Sequence, residues 1–508
     1  MRRPTRILLL LLVALMLGSL LAACGGKKSP APVETTGTDT PTDPVTEPAE
    51  TTPQWETDEK GYVKDLIPAD VDYRGREVPL LVWNGAQSLT LPKEGGSGSN
   101  TVQQRVYARR LALESRLNIE LVPSYEQGDY FHADQFLSAA RLSGDRGYEL
   151  IISFSLHPTV LAQEGALYNL NKLNYPNVEM PWYPDLISGW EQFGSLFFVT
   201  TNSSISIINA AETMFCNTSM FEARNMTTPV DLALEGRWTL DELVTAVRNF
   251  DDGLDDDDPL KIYGLVIDDH SRADALYYGL GFNSVIRNEN GEAEMPWLSS
   301  TYVDIVTRAL DKLVPLFNTG AALVDADTPA KMINHKTAIF SGSLNQITRM
   351  EDTDYAPIPM PKLNEEQEDY YTVPNNGYDI WCIPSAAKDP ELAGMIIEAF
   401  FSSDYRDLAP YYFDRYMKLH YASDEISSRM FEIVRGSVNI DFGRVSHEYL
   451  VSPEGFWRPC FYNYSLQATV GENRFATLAA AKTSEAEIKL AELLASYRKY
   501  HNQEQNAN

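Results

Sequence analysis

The sequence predicts an α/β fold, because short apolar runs typical of buried strands alternate with amphipathic helical segments. The first run, VPLLVWNG at 78–85, ends in Asn-Gly, a pair that favours a loop after a strand. A second run, YELIISFS at 148–155, precedes another helical segment. Alternating strands and helices indicate parallel sheets with right-handed crossovers.

The remaining elements follow the same two periodicities along the chain. Two of the helices carry local start signals: Thr239 with Glu242 forms a capping box, and Asp389 precedes Pro390 as an N-cap. The other segments are predicted in this order: helix TVQQRVYARRLALESRLN, strand IELVPSY, helix ADQFLSAARLSG, helix PTVLAQEGALYNL, strand SLFFVTT, strand ETMFCN, helix TLDELVTAVRNF, strand IYGLVID, helix TYVDIVTRALDKLVPLF, strand KTAIFSGSLN, strand YDIWCIPSA, helix DPELAGMIIEAFF and a last helix over 483–500.

The first 23 residues have the layout of a secretory signal, with a basic start and an apolar run over 7–23. The run contains Gly18 and Ser19 and is shorter than the roughly 20 apolar residues that a spanning helix needs. Residues 21–24, Leu-Ala-Ala-Cys, resemble the bacterial lipobox, which implies cleavage before Cys24 and lipid on its thiol. Residues 24–71 are therefore predicted to be the lipidated cysteine and a disordered Thr/Pro/Glu-rich tether.

Composition narrows the classes of partner. The formal net charge of −29 argues against nucleic acid, which is bound through clustered Lys and Arg. Besides Cys24, the cysteines are Cys216, Cys382 and Cys460, whose spacing matches no zinc site and predicts no disulfide framework. The motifs of serine hydrolases, zinc proteases and phosphate-binding loops are absent. We predict no cofactor and no metal.

The order of several segments resembles the extracellular solute-binding proteins of ABC importers, of the sugar-binding kind. The resemblance rests on VWNG, YELIISFS, EGALYNLNKL, MPWYPDLI, EGRWTLDELV, YAPIPMPKLNEEQEDYY and IPSAAKDPELAGMIIEAF, with a lipobox in front. It covers most of the chain beyond Asp72. It implies a two-lobed periplasmic-binding-protein-like fold of type II, with lobes joined by crossing hinge strands.

The resemblance also implies how the lobes divide the chain and what they do. The first lobe is expected over 72–200 with 342–402, and the second over 201–341 with 403–508. A small solute would bind in the cleft, closure would trap it, and ABC permease subunits would receive it. The protein would be held by its lipid anchor on the outer face of the cytoplasmic membrane and would not be an enzyme.

An oligosaccharide is the solute that composition favours, because sugars stack on flat aromatic rings edged by polar side chains, and 11% of the residues are aromatic. The candidates are polar residues just past predicted strand ends and aromatic residues in or near loops. They are Asn84, Ser155, Trp190, Asn202, Ser203, Asp269, Trp297, Ser343, Asn375, Asn376, Tyr378 and Trp381, with Trp83 and Trp182 as further aromatic candidates.

Other functions remain open at this stage. A peptide would need a charged group at each end of the cleft, and Arg74 or Arg287 could bind its carboxylate. Closure could also signal to a sensor, and a pair among the 71 acidic residues could serve a surface glycan-degrading enzyme. The aspartate-rich run 251–258 offers oxygen ligands for calcium, although its glycine does not fit an EF-hand.

Overall fold

The computed structural model describes residues 55–95, 101–183, 187–255, 257–267, 270–325, 336–349, 354–412, 425–440, 442–446, 461 and 471–507. They belong to one contact unit that begins at Trp55. Cys24, the signal segment and most of the predicted tether lie outside the described residues.

Strands in these ranges form two five-stranded sheets and one short hairpin. They are β1 (Arg76–Trp83), β2 (Ile119–Glu126), β3 (Leu150–Phe154), β4 (Phe198–Val199), β5 (Glu212–Asn217), β6 (Tyr263–Ile267), β7 (Ile286–Arg287), β8 (Ala293–Glu294), β9 (Ala322–Val324), β10 (Thr337–Ser343), β11 (Tyr355–Ile358) and β12 (Asp379–Cys382).

Helices cover the sheets. They are α1 (Ala86–Leu89), α2 (Thr101–Leu117), α3 (Ala133–Arg141), α4 (Ser143–Arg146), α5 (Pro158–Gln163), α6 (Ile187–Trp190), α7 (Ile205–Ala210), α8 (Thr218–Ala223), α9 (Pro229–Leu234), α10 (Leu240–Asn249), α11 (His270–Gly279), α12 (Ser300–Asn318), α13 (Pro390–Ser403), α14 (Ala409–Tyr411), α15 (Glu425–Gly436), α16 (Phe442–Val445) and α17 (Phe475–Ala507). A π-helical turn, Asp404–Leu408, joins α13 to α14.

The first sheet has the order β2-β1-β3-β12-β4. Strands β1, β2 and β3 are parallel, whereas β12 runs antiparallel to both β3 and β4. The sheet is therefore mixed, because the chain returns to it from elsewhere through β12 and does not add a further parallel strand.

The second sheet has the order β11-β5-β10-β6-β9. Strands β10, β6 and β9 are parallel, and β5 runs antiparallel to its neighbours β10 and β11. Strand β10, which the sequence predicted, occupies the centre of the sheet with every residue buried. The short strands β9 and β11 had no counterpart in the prediction.

The predicted helix starts form as the residue types dictate. The Thr239 side chain accepts a hydrogen bond from the backbone N–H of Glu242, and Asp389 accepts one from Leu392, so each satisfies a donor that the first helical turn leaves unpaired. The last helix extends beyond the predicted 483–500, since it covers Phe475–Ala507.

Residues 55–71, which were assigned to the tether, pack against the first sheet's helices. The Asp65 carboxylate accepts hydrogen bonds from Arg116 on α2, from Arg406 and from Ser402. Ile67 is buried in the core. The three hydrogen-bond donors to Asp65 therefore hold residues 55–71 on the folded unit, although the composition of this segment predicted that it would be disordered.

One stretch that the sequence assigned to the first lobe pairs with the second sheet. Strand β11 pairs with β5, so the chain is still in the second sheet at Ile358 and returns to the first sheet at Asp379. The sequence placed that return at residue 342, because it did not identify β11 as a strand. Among the described helices none is long and apolar enough to cross a membrane.

Candidate functional site

Two chain segments cross between the first sheet and the second sheet. One crossing segment leads from the end of β4 through α7 to the start of β5, and the other leads from the end of β11 to the start of β12. Because β5 and β12 are antiparallel to the central strands, both segments leave and enter at carboxyl edges. Ligands of open α/β sheets bind at such edges.

The crossing segments are hydrogen-bonded to each other. Ala211 and Pro374 form an antiparallel bridge, the N–H of Asn375 donates to the Ala210 carbonyl at 2.7 Å, and that of Glu212 donates to Val373 at 2.9 Å. Two paired strands that join two sheets have the connectivity of a hinge.

Polar side chains meet at the carboxyl edge of the first sheet. The Asn84 amide, after β1, donates to the Gln127 side chain, after β2, at 2.9 Å. The Ser155 hydroxyl, after β3, donates to the Asn376 carbonyl at 2.7 Å. The strand ends thus bring together residues that are up to 221 positions apart in the sequence.

The other predicted polar residues flank the crossing segments. Asn202 and Ser203 follow β4, and the Ser203 hydroxyl donates to the Asn202 side chain at 3.3 Å. Asn375 and Tyr378 lie in the segment that enters β12, where Tyr378 is fully buried. These positions are at the same edge as Asn84 and Ser155.

A buried carboxylate, Asp379, lies at the start of β12. It accepts hydrogen bonds from the Trp83 indole at 2.5 Å and from the Thr90 hydroxyl. Desolvation raises the pKa of Asp379, and the hydrogen bonds from Thr90 and Trp83 oppose that shift. Arg109 of α2 lies nearby and pairs with Asp404 in the π-helical turn. These hydrogen bonds and the ion pair stabilise the carboxyl edge of the first sheet from its buried side.

The carboxyl edge of the second sheet holds a buried ion pair. The Ser343 hydroxyl, at the end of β10, donates to the Glu212 carboxylate at 3.1 Å, and the Arg272 guanidinium of α11 donates to the same oxygen at 2.8 Å. Glu212 and Arg272 are both buried. Of the predicted residues, only Ser343 belongs to this group.

The predicted tryptophans occupy the protein interior. Trp381 packs against Phe400 and Phe401 of α13, with ring centroids 5.0 and 5.5 Å away. Trp190 donates to the Ile440 carbonyl at 2.9 Å, and Trp297 donates to the Tyr277 hydroxyl at 3.0 Å. Each is at most 3% exposed, so none of them presents a ring face to a solute in this structure. Trp83 and Trp182 are buried as well.

Buried polar atoms without a partner cluster around the loop after β3. The Nε2 of His157 bonds the Gly128 carbonyl at 2.8 Å. Among the residues that the structure describes, the His157 Nδ1, the Asn376 side-chain oxygen and the Ser446 hydroxyl have no hydrogen-bond partner. Burial lowers the pKa of His157 to about 4, so the imidazole is neutral at physiological pH. Unpaired polar atoms at an edge can accept hydrogen bonds from a bound molecule or donate hydrogen bonds to it.

A cavity of about 1270 Å³ is lined by Glu368–Tyr371 of the second crossing segment and by Gly436–Asn439 at and after the end of α15. Among its described lining residues only Asn202 was predicted, so the cavity and the strand edges are largely different places. Its acidic side chains are Glu179, Glu191, Glu368, Asp369 and Glu432. This negative potential disfavours anionic solutes.

Several residues that the sequence analysis considered for a binding site lie away from this edge or outside the described residues. Asp269 is not described. Arg74 precedes β1 at the opposite end of the strand, and Arg287 of β7 donates to the Glu191 carbonyl at 2.7 Å. In the aspartate-rich run, Asp252 pairs with Lys261 at 3.5 Å. Within the described ranges no group of three or more His, Cys, Asp or Glu side chains could hold a metal ion.

Sequence reasoning missed Asp379, Glu212, Arg272 and Gln127. Two of them carried a signal, since an acidic residue next to an apolar strand run, as in YDIWCI and AETMFC, indicates a buried charge with a distant partner. Nothing local identifies the partner.

Comparison with solved structures supports the same architecture. The maltose-binding periplasmic protein of Listeria monocytogenes, solved with maltose, is 12% identical, with a TM-score of 0.53 over 82% of this chain and 98% of that one. UgpB of Mycobacterium tuberculosis, solved with glycerophosphocholine, is 13% identical, with a TM-score of 0.52 over 81% and 98%. The cyclic α-maltosyl-1,6-maltose binding protein of Arthrobacter globiformis is 12% identical, with a TM-score of 0.50 over 84% and 100%.

No family model and no curated protein matches the sequence. The structural likeness, together with the paired crossing segments, shows that the chain has the two-lobed periplasmic-binding-protein fold of type II. The fold class that the sequence predicted is thereby confirmed.

Proposed function

We propose that this protein is a lipid-anchored solute-binding protein that captures an oligosaccharide for an ABC transporter. The observation that carries the proposal is the meeting of two carboxyl edges across paired crossing segments, with polar side chains from both sheets. A solute held between the edges would contact both lobes, so binding would favour the closed arrangement.

The chemistry of the edge favours a neutral, hydroxylated solute. Asn84, Ser155, Asn202, Asn375 and Asn376 offer amide and hydroxyl groups that both donate and accept hydrogen bonds. The Asp379 carboxylate already accepts hydrogen bonds from Trp83 and Thr90, and the Glu212 carboxylate is paired with Arg272. Two of the structural neighbours were solved with, or named for, maltose-type sugars.

The anchor rests on the lipobox at 21–24. Two or more acyl chains on Cys24 would hold the protein durably on the outer face of the membrane, at about 0.8 kcal/mol for each buried methylene. Residues 25–54 would tether the folded unit, which begins at Trp55. The permease would then meet a solute that is already concentrated at the membrane surface.

A thermal-shift screen of the purified protein against oligosaccharides, short peptides and calcium tests the solute class. A glycan that binds only the folded state raises the unfolding midpoint. Asn84→Ala should reduce that shift, whereas the control Asn318→Ala, at the end of α12, should leave it unchanged. A glycan recovered intact after binding supports capture; a cleaved one would show an enzyme, and a shift with peptides alone would replace the solute class.

A further inference from the structure

The loop after β2 exposes two adjacent aromatic rings. Phe131 is 86% exposed and Tyr130 is 43% exposed. Among the large apolar side chains that the described residues leave exposed, these are the only aromatic ones. An exposed phenylalanine ring forgoes the stabilisation that burial would give it. The predicted aromatic candidates are buried, so within the described ranges this pair is the most exposed aromatic surface.

The pair lies at the carboxyl edge of the first sheet. Trp83 at the end of β1 is in register with Glu126 at the end of β2, so both strands end side by side. The backbone N–H of Asn84 donates to the Glu126 carbonyl at 2.8 Å, and the Asn84 amide bonds Gln127. The loop that carries Tyr130 therefore starts from the hydrogen-bonded pair that opens the proposed solute site.

The loop is held rigidly, so the rings are presented in a fixed place. The Gly128 carbonyl accepts a hydrogen bond from the buried His157 imidazole at 2.8 Å. A side chain at Gly128 would meet Phe136 at 2.7 Å and Trp83 at 3.0 Å, so the backbone packs directly on the core there.

Both rings lie in a short 3₁₀ helix, Tyr130–His132, whose first turn is capped by Asp129. The Asp129 carboxylate accepts hydrogen bonds from the backbone of Phe131 at 3.0 Å and pairs with the ring of His132 at 2.6 Å. Fixing the backbone beforehand lowers the entropic cost of binding through it.

We propose that Tyr130 and Phe131 form an aromatic platform on which one end of the solute stacks. The inference rests on the proposed function. A sugar ring has an apolar C–H face that packs on a flat aromatic ring, and the neighbouring Asn84 and Gln127 amides reach its hydroxyl groups.

The position of the platform sets the length of the solute. Strand β2 is the outer strand of the sheet, three strand spacings from β12, where the crossing segment enters. At about 4.8 Å for each spacing, the end of β2, from which the platform loop starts, lies roughly 14 Å along the edge from the segment that carries Asn376. A solute that contacts both must be an extended oligosaccharide, and a disaccharide held at the crossing segments would not reach the platform.

The test begins with the full chain and a glycan array of di- to octasaccharides, followed by calorimetric titration with a glycan that binds and with its disaccharide fragment. Phe131→Ala should weaken the longer glycan about tenfold, as expected for a lost stacking contact, and leave the fragment unchanged. Phe131→Trp should retain the affinity, whereas Phe131→Leu, which is apolar but not flat, should not.

The matched control is Leu260→Ala. Leu260 is 75% exposed and lies before β6, at the opposite end of the second sheet's strands. It should leave affinity for both ligands unchanged.

The outcomes separate the platform from the function on which it rests. If the wild-type protein binds no glycan on the array, the oligosaccharide proposal fails and the platform fails with it. If it binds glycans and Phe131→Ala binds them equally well, only the platform is overturned. Equal binding with lost uptake by cells would also overturn it, and would show that this surface contacts the transporter.

Discussion

The indole Nε1 of Trp83, the last residue of β1, donates a 2.5 Å hydrogen bond to the carboxylate of Asp379, the first residue of β12. These residues are 296 positions apart and both are buried. The bond joins the first strand of the chain to the strand that returns from the second sheet. The carboxyl edge of the first sheet therefore depends on a contact behind the residues proposed to bind the solute.

Trp83→Phe should lower the free energy of unfolding more than Trp297→Phe does. Both changes remove an indole N–H from a buried site, but Trp83 donates to a carboxylate and Trp297 to a tyrosine hydroxyl. Hydrogen bonds to charged groups contribute about 1.5–3 kcal/mol and neutral ones about 0.5–1.5 kcal/mol. Urea unfolding at pH 8 measures both losses, and equal losses would contradict a charged Asp379.

The buried Glu398 should make stability fall as pH rises. Burial raises its pKa from 4.5 to about 7, while Tyr183 donates a hydrogen bond to the carboxyl group at 2.9 Å. Because the folded-state pKa is the higher one, unfolding releases a proton between about pH 4.5 and 7, and stability decreases across that window.

Glu398→Gln should remove this part of the pH dependence. Relative to the variant, the wild type should lose up to about 3 kcal/mol between pH 4.5 and 8. Thermal unfolding of both proteins across this range measures the difference. Parallel pH profiles would show that Glu398 does not titrate in the window.

Arg272→Met should destabilise the protein strongly, because it removes the guanidinium that pairs with the buried Glu212 carboxylate. Removing one partner of a buried pair costs about 3–5 kcal/mol. Ser343→Ala removes a single hydrogen bond to the same oxygen and should cost about 1 kcal/mol. Denaturant unfolding compares them, and a smaller loss for Arg272→Met than for Ser343→Ala would refute the ion pair's role.

Cys216 and Cys382 should resist alkylation in the folded protein. Both thiols are fully buried, and burial raises the pKa of Cys216 to about 12 and that of Cys382 also above its usual range. Thiolate, which is the reactive form, is therefore scarce. After treatment with iodoacetamide at pH 8, mass spectrometry should find both cysteines unmodified in the folded protein. In urea both should be alkylated. Rapid labelling without urea would place either thiol at the surface.

Some of the site could be predicted from the sequence, since strand ends follow from local pattern. Asn84 and Ser155 directly follow buried apolar runs, and Ser343 ends one. Parallel pairing of strands brings their carboxyl ends to one edge of a sheet. The tryptophans could not be assigned in this way. Composition shows that a ring is available, but whether it faces solvent depends on distant residues, as with Trp381 and α13.

The buried charged groups and the exposed aromatic pair could be identified only from the structure. Glu212 and Arg272 are 60 positions apart, and no sequence period connects them. Tyr130 and Phe131 fall between a predicted strand and a predicted helix, in a stretch that the patterns treat as a connection. Their exposure results from the capped turn at Asp129, and a sequence pattern contains no information on how that turn is oriented.

The long helix α17 connects the two sheets in a third place. Near its start Phe475 packs on Trp297, and Asn473 just before it bonds Asp311 of α12; near its end Tyr497 packs on Phe197, beside β4. A helix of 33 residues is about 50 Å long and stiff. If the proposed site opens by separation of the lobes, contacts at one end of the helix must slide or break, and the helix would then contribute to the barrier to reopening. The residence time of a bound molecule would then be governed partly by aromatic contacts far from the molecule itself.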